Sequence, residues 1–200
     1  MNNAQQKFVI DMYNLCKTIG VAYNNLCPIG VTAQACIESN YGRSMLSKNY
    51  HNYFGLKCGK YWTGKRAKLK TKEEYIQGQL TAIYAEFRAY DSMTEGVKGY
   101  YEFVNTKRYQ NLKGVTNPTD YIMLIKEDGY ATSYSYVSNV LSVVNSIIPI
   151  VLKDIDAIAH EVIDGLWGNG EERKQRLQKA GFCYEEVQKR VNEILALGLH

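Results

Sequence analysis

The chain has 200 residues, 46% of them hydrophobic and 22% charged, a globular composition that excludes disordered, collagen-like and low-complexity readings. Its net charge of +4 is unevenly spread: residues 1–150 hold 17 basic and 11 acidic side chains, residues 151–200 hold 7 and 9, and 16 of the 17 tyrosines precede residue 150. Two units with different surfaces follow from that split, and no apolar stretch approaches the roughly 20 residues of a membrane span.

In chain order, the start Met1-Asn2-Asn3-Ala4-Gln5-Gln6-Lys7 has no basic, apolar and small-residue sequence of a secretory leader. Phe8, Met12, Leu15 and Ile19 form one helical stripe, and Val31, Ala35 and Ile37 lie on a second helix after the Cys27-Pro28-Ile29-Gly30 turn. Between Tyr61 and Tyr90 the period falls to two, with Arg66, Lys68, Lys70 and Lys72 alternating with Ala67, Leu69, Thr71 and Glu73; this predicts a short β-hairpin with Gly78 near its turn. Ser92-Met93-Thr94-Glu95 reads as a capping box and Asn117-Pro118-Thr119-Asp120 as a second helix start. The apolar run from Val137 to Ile148 ends at Pro149, which predicts the edge of the first unit there.

The tail reads as a bundle of three short helices, stopping at Gly165, Gly181 and near Gly198, each glycine serving as a left-handed cap. A bundle of about 46 residues has a small core, so it reads as an accessory module. The domains expected are therefore 1–150 and 151–200. The five cysteines, Cys16, Cys27, Cys36, Cys58 and Cys183, show neither CxxC nor Cys/His spacing, which argues for reduced thiols and against a zinc site.

Glu38 is the first candidate for chemistry. It ends an apolar helix just before Ser39-Asn40-Tyr41-Gly42-Arg43-Ser44. Apolar neighbours disfavour its anion and raise its pKa, as a general acid near neutral pH requires. A helix-end glutamate in plain solvent is the competing reading.

The wider pattern is Ala35-Cys36-Ile37-Glu38-Ser39-Asn40-Tyr41-Gly42-Arg43-Ser44, then Asn52-Tyr53-Phe54-Gly55-Leu56-Lys57, then Phe87-Arg88-Ala89-Tyr90, then Tyr130-Ala131-Thr132. In order and approximate spacing it resembles the glycoside hydrolase family 73 glucosaminidases, which cut the glycan strands of peptidoglycan. The resemblance covers most of residues 1–150 and implies a mainly α (α+β) fold, a lysozyme-like helical lobe with a small β-hairpin lobe and a cleft between them. It places Glu38 at the general acid. It places the second carboxylate on the hairpin, at Glu73 counting from Thr71 or at Glu74 counting back from the Phe-Arg-x-Tyr motif. Successive strand residues face opposite ways, so one of the two faces the cleft; pairing with Lys70 or Lys72 is the alternative for either. Tyr130 matches a cleft tyrosine that orients water or the acetamido group, or stabilises the oxocarbenium ion. The resemblance leaves open both an inverting mechanism and one assisted by the substrate's acetamide.

Asn52, Tyr53, Phe54, Tyr41 and Tyr90 are the candidate substrate-binding residues, since aromatic faces stack on sugar rings. The basic run from Lys57 to Lys72 suits an anionic wall by long-range steering, and no nucleic-acid motif accompanies it. Nothing implies a cofactor or metal, because this hydrolysis needs only carboxyls and water. In the tail, the run from Ile158 through Trp167-Gly168-Asn169-Gly170 to Arg173, followed by Leu177, Ala180-Gly181-Phe182 and Val187 to Asn192, resembles the Cpl-seven type wall-binding repeat of phage lysins. That likeness implies peptidoglycan as partner and makes Trp167, Asn169 and Arg173 the candidate contacts. His160 reads as a surface residue. The expectation overall is a phage peptidoglycan hydrolase, made in the host cytoplasm and released to the wall at lysis. The alternatives are a muramidase or lytic transglycosylase on the same fold, and a non-catalytic wall-binding protein.

Overall fold

The computed structural model describes residues 1–76, 79–179 and 182–198, with side chains described for all of these except 71–76, 79–83, 152–154 and 179. Helices α1 (Asn3–Gly20), α2 (Pro28–Ser39) and α3 (Met45–Tyr50) lead into a hairpin of β1 (Arg66–Ile76) and β2 (Gln79–Arg88). Helices α4 (Met93–Val104), α5 (Pro118–Glu127), α6 (Tyr136–Ile163), α7 (Gly170–Lys179) and α8 (Tyr184–Ala196) follow. The fold is mainly helical with one two-stranded antiparallel sheet.

Helix α2 is the axis of the larger core. Every residue from Gly30 to Cys36 is buried, so the helix is apolar nearly all round, as a helix enclosed by others must be. It packs against α1, α5 and α6. Pro28 stands in its first turn, where the missing N–H costs nothing.

The period-two stretch is the hairpin, longer than the short one expected. Arg66 pairs with Arg88, Ala67 with Phe87, Glu73 with Thr81 and Glu74 with Leu80, with an irregularity between Glu74 and Ile76. Ala67 and Phe87 are buried while Arg66 and Lys68 are exposed, the alternation of a half-buried strand. The expected turn residue Gly78 lies outside the described residues.

Three expectations are corrected. Helix α6 does not stop at Pro149; it runs through that proline to Ile163 as one 28-residue element. An interior proline costs about 3 kcal/mol, and burial of Ile147 and Val151 on either side, each worth about 1.5–3 kcal/mol, offsets it. The first of the three tail helices is therefore the end of α6, capped by Gly165 at φ 80°. Around Ser92 only half of the capping box forms: Ser92 Oγ accepts from Glu95 N, but the Glu95 carboxylate accepts from Asp91 N instead of Ser92 N. A complete capping box, which the sequence reading passed over, opens α1 between Asn2 and Gln5.

Two apolar cores result. One gathers α1, α2, α4, α5 and the first half of α6 down to Val151. The other gathers Ile158, Ala159, Val162, Leu177, Val187, Val191 and Ile194. The expected second-helix stop at Ala180 and Gly181 lies outside the described residues, whereas Gly198 follows α8 with φ 63°. No helix among the described residues is long and apolar enough to cross a membrane.

Candidate active site

Glu38 sits in the last turn of α2, and the local sequence explains why the chain leaves the helix there. Asn40, Tyr41 and Gly42 take left-handed conformations in succession, with φ of 50°, 55° and 73°. Ser39 holds the reversal by donating from Oγ to Ala35 O at 2.5 Å and accepting from Gly42 N at 2.7 Å. Gly42 has a second reason: a Cβ there would stand 2.7 Å from the Phe8 ring. Tyr41 thereby turns toward the core, packed against it, and does not line the groove in front of Glu38.

That groove has a volume of about 510 Å³ and is walled by Glu38, Phe54 to Lys57, Phe103, Arg108, Tyr109, Gly129 to Ser133, and Tyr136. Glu38 as a residue is exposed, yet its carboxyl is closely walled, since a Cβ on Gly55 would stand only 3.4 Å from Glu38 Oε2. Gly55 has φ 64°, so the backbone itself forms that wall. The protein crowding the carboxyl strips water from it, and its pKa is pushed up to about 7.

Tyr130 lies in the groove wall. Its hydroxyl donates to Phe54 O at 2.7 Å, so its single hydrogen is spent on the loop that carries Gly55. Burial, with the nearby Glu38 charge adding to it, raises its pKa well above the ordinary value. Phe54 is buried and stacks on Tyr100 with centroids 4.1 Å apart.

Asn52 does not face the groove. It is 2% exposed, and Nδ2 donates to Leu56 O and Arg88 O, both at 2.9 Å, while Oδ1 accepts from Leu56 N at 3.0 Å. Its polar atoms tie the Phe54–Leu56 loop to the hairpin base. Tyr53 also points away: its ring packs on Phe8, and its hydroxyl lies 2.9 Å from His51 Nδ1. Tyr90 lies edge-on to Trp62 and over Gly99, outside the groove wall. The side chains of Glu73 and Glu74 lie outside the described residues; their backbones stand on β1.

Sequence reasoning missed Gln34 and Tyr136. Gln34 is fully buried and donates from Nε2 to Tyr136 Oη at 2.6 Å; a lone amide inside Val31–Ile37 was the available signal. Arg108 was missed as well, and its position in the groove wall leaves no mark in the sequence pattern.

In the tail, Trp167 Nε1 donates to Glu161 Oε2 at 2.8 Å and its ring meets Phe182 edge-on. Arg173 donates to Gly168 O, to Asn169 Oδ1 and to Gln188 Oε1. Trp167 thus ties the glycine-rich turn to α6, while Arg173 braces it internally through Gly168 and Asn169 and reaches Gln188 on α8. His160 is exposed, as expected.

The chain matches the glucosaminidase family, described as mannosyl-glycoprotein endo-beta-N-acetylglucosaminidase, over residues 18–148, and the CW_7 repeat over residues 156–195. It is 33% identical over 119 residues to the peptidoglycan hydrolase FlgJ of Pseudomonas aeruginosa, which covers 56% of this chain and 30% of FlgJ. It is 54% identical over 43 residues to the lysozyme of Streptococcus phage Cp-7, covering 22% of this chain and 13% of that lysozyme. The chain thus spans under a third of either relative. A crystal structure of a peptidoglycan hydrolase mutant from Sphingomonas sp. A1 superposes with a TM-score of 0.66 at 29% identity, over 74% of this chain and 99% of that one.

Proposed function

The chain belongs to the glucosaminidase family, and from that premise we propose that it hydrolyses the β-1,4 bond between N-acetylglucosamine and N-acetylmuramic acid in peptidoglycan. The observation that carries this reading is Glu38, a carboxyl with its pKa pushed up to about 7 in the wall of a groove of about 510 Å³. A carboxyl that still holds its proton near neutrality can protonate the glycosidic oxygen as the sugar leaves. β1 carries the candidates for the second carboxylate, Glu73 and Glu74, one of them activating water unless the substrate's acetamide takes that part.

Residues 1–150 form the catalytic unit in this reading and residues 151–200 the wall-binding unit. Tethering a weak binder to the catalytic unit raises the local concentration of an insoluble substrate. The likeness of the tail to a phage lysozyme supports a phage endolysin that meets the wall at host lysis.

The test is product analysis on purified Gram-positive peptidoglycan with the native chain and Glu38→Gln, which keeps the shape without the proton. Native protein releases fragments ending in reducing N-acetylglucosamine, and Glu38→Gln is slower by at least about a hundredfold. Reducing muramic acid ends would make the enzyme a muramidase instead, a name borne by a relative 33% identical over 110 residues. Equal rates for the two proteins would move the acid elsewhere.

A further inference from the structure

Behind the groove, five buried polar side chains form a single file of hydrogen bonds. Asn25 Nδ2 donates to Tyr121 Oη at 2.8 Å, the Tyr121 and Tyr100 hydroxyls lie 2.9 Å apart, Tyr100 donates to Gln34 Oε1 at 2.7 Å, and Gln34 Nε2 donates to Tyr136 Oη at 2.6 Å. Each hydroxyl owns one hydrogen. Tyr100 gives its hydrogen to Gln34, so the hydrogen between the two tyrosines belongs to Tyr121, which Asn25 supplies in turn. Every bond in the file therefore runs in one direction, toward Tyr136, and neighbouring bonds polarise one another.

Tyr136 ends the file. Its oxygen is taken by Gln34, and its own hydrogen has no acceptor among the described residues. The residue lines the groove together with Glu38, while its ring is held in the core at 6% exposure. Tyr130, across the same wall, has the opposite arrangement: its hydrogen goes to Phe54 O, which leaves it only lone pairs to offer. Lys57, Arg108 and Tyr109 are the other titratable side chains of that wall.

We propose that Tyr136, rather than Tyr130, is the hydrogen-bond donor beside Glu38, and that it engages the acetamido carbonyl oxygen of the N-acetylhexosamine seated there. This rests on the reading of the groove as a glycan site. A donor fixed in advance costs less ordering on binding than one that must be recruited, and the Gln34 amide does the fixing. The carbonyl of an acetamido group is the strongest neutral acceptor such a sugar carries, and plain hexoses lack it, so this contact would select N-acetylated sugars.

The experiment uses the full chain and soluble peptidoglycan strands stripped of stem peptides. Tyr136→Phe keeps the ring and removes only the donor. Its kcat/KM is expected to fall roughly three- to tenfold at an unchanged thermal midpoint, the range of one neutral hydrogen bond. In the Glu38→Gln background, expected to turn over at least about a hundredfold more slowly, adding Tyr136→Phe weakens equilibrium binding of the same strands by a similar factor. A change under twofold in both readouts, with Glu38→Gln slowed as expected, overturns the assignment to Tyr136. A loss of activity that tracks a fall in thermal midpoint overturns it too, because the residue is then only packing. Should Glu38→Gln cleave at the native rate, the underlying reading of the groove falls, and this inference with it.

Discussion

Glu38 is an exposed residue of the groove wall, yet its carboxyl is crowded by protein, and that burial pushes its pKa up to about 7. The sign of its effect on folding follows. In the folded chain the proton stays on up to about pH 7, whereas in the unfolded chain it leaves near 4.5. The folded state binds more protons between those values, so stability falls as pH rises through that window and levels off above it. Glu38→Gln has no such term. Its thermal midpoint should draw ahead of the native one between pH 4.5 and 7 and hold a constant lead beyond, as thermal melts at several pH values measure; parallel curves would mean an ordinary carboxyl pKa. Activity should fall above pH 7 for the same reason, as the acid loses its proton. At this scale Glu38 was legible in the sequence as the candidate acid, because it closes an apolar helix just before Asn40-Tyr41-Gly42. Tyr136 was not, because what sets its role is an amide 102 residues away, a relation that no local spacing encodes.

Between residue and fold, the element that shapes the groove is the loop after α3. It is held by Asn52, whose side chain bonds the backbone of both Leu56 and Arg88, and by Tyr130 from the other side. The motif Asn52-Tyr53-Phe54-Gly55 reads in sequence as a substrate contact, yet the Asn52 and Tyr53 side chains turn away from the groove and Phe54 and Gly55 form its wall. Sequence shows that such a loop is special without showing which of its atoms face out. Asn52→Ala strips the backbone of several buried partners, each worth about 1–3 kcal/mol when left unsatisfied. It should therefore lower stability by about 3 kcal/mol in urea titration, and a loss under about 1 kcal/mol would mean that the loop is held by its rings alone. The hairpin was legible from period two and from Ala67 and Phe87, whereas the continuity of α6 was not, since a proline after a helical run usually ends it. Apolar residues on both sides of Pro149 decided the matter, and that is a tertiary cause.

The whole molecule consists of two cores threaded on one helix. Among the described residues the smaller core has seven buried apolar side chains, and a unit of so few residues is marginal alone. What it has in addition is α6, already anchored in the larger core through Ile147 and Val151, which presents Ile158, Ala159 and Val162 in register for α7 and α8. An ion pair from Lys17 on α1 to Glu186 on α8 joins the two units a second time, and Arg190 on α8 pairs with Asp156 on α6. From this we expect the smaller unit, which leans on the helix, to open before the larger one. Ala157 is exposed and lies between the cores, so a proline there removes a helical hydrogen bond without disturbing a packed side chain, at a cost of about 3 kcal/mol or more. Ala157→Pro is expected to abolish hydrogen-exchange protection in α8 while the main thermal transition moves by only a few degrees. Cleavage of soluble glycan strands should persist and co-sedimentation with insoluble wall should fail. If α8 stays protected, the repeat holds itself together and α6 is a mere tether; if soluble cleavage is lost as well, the groove depends on the tail, and the two units are one.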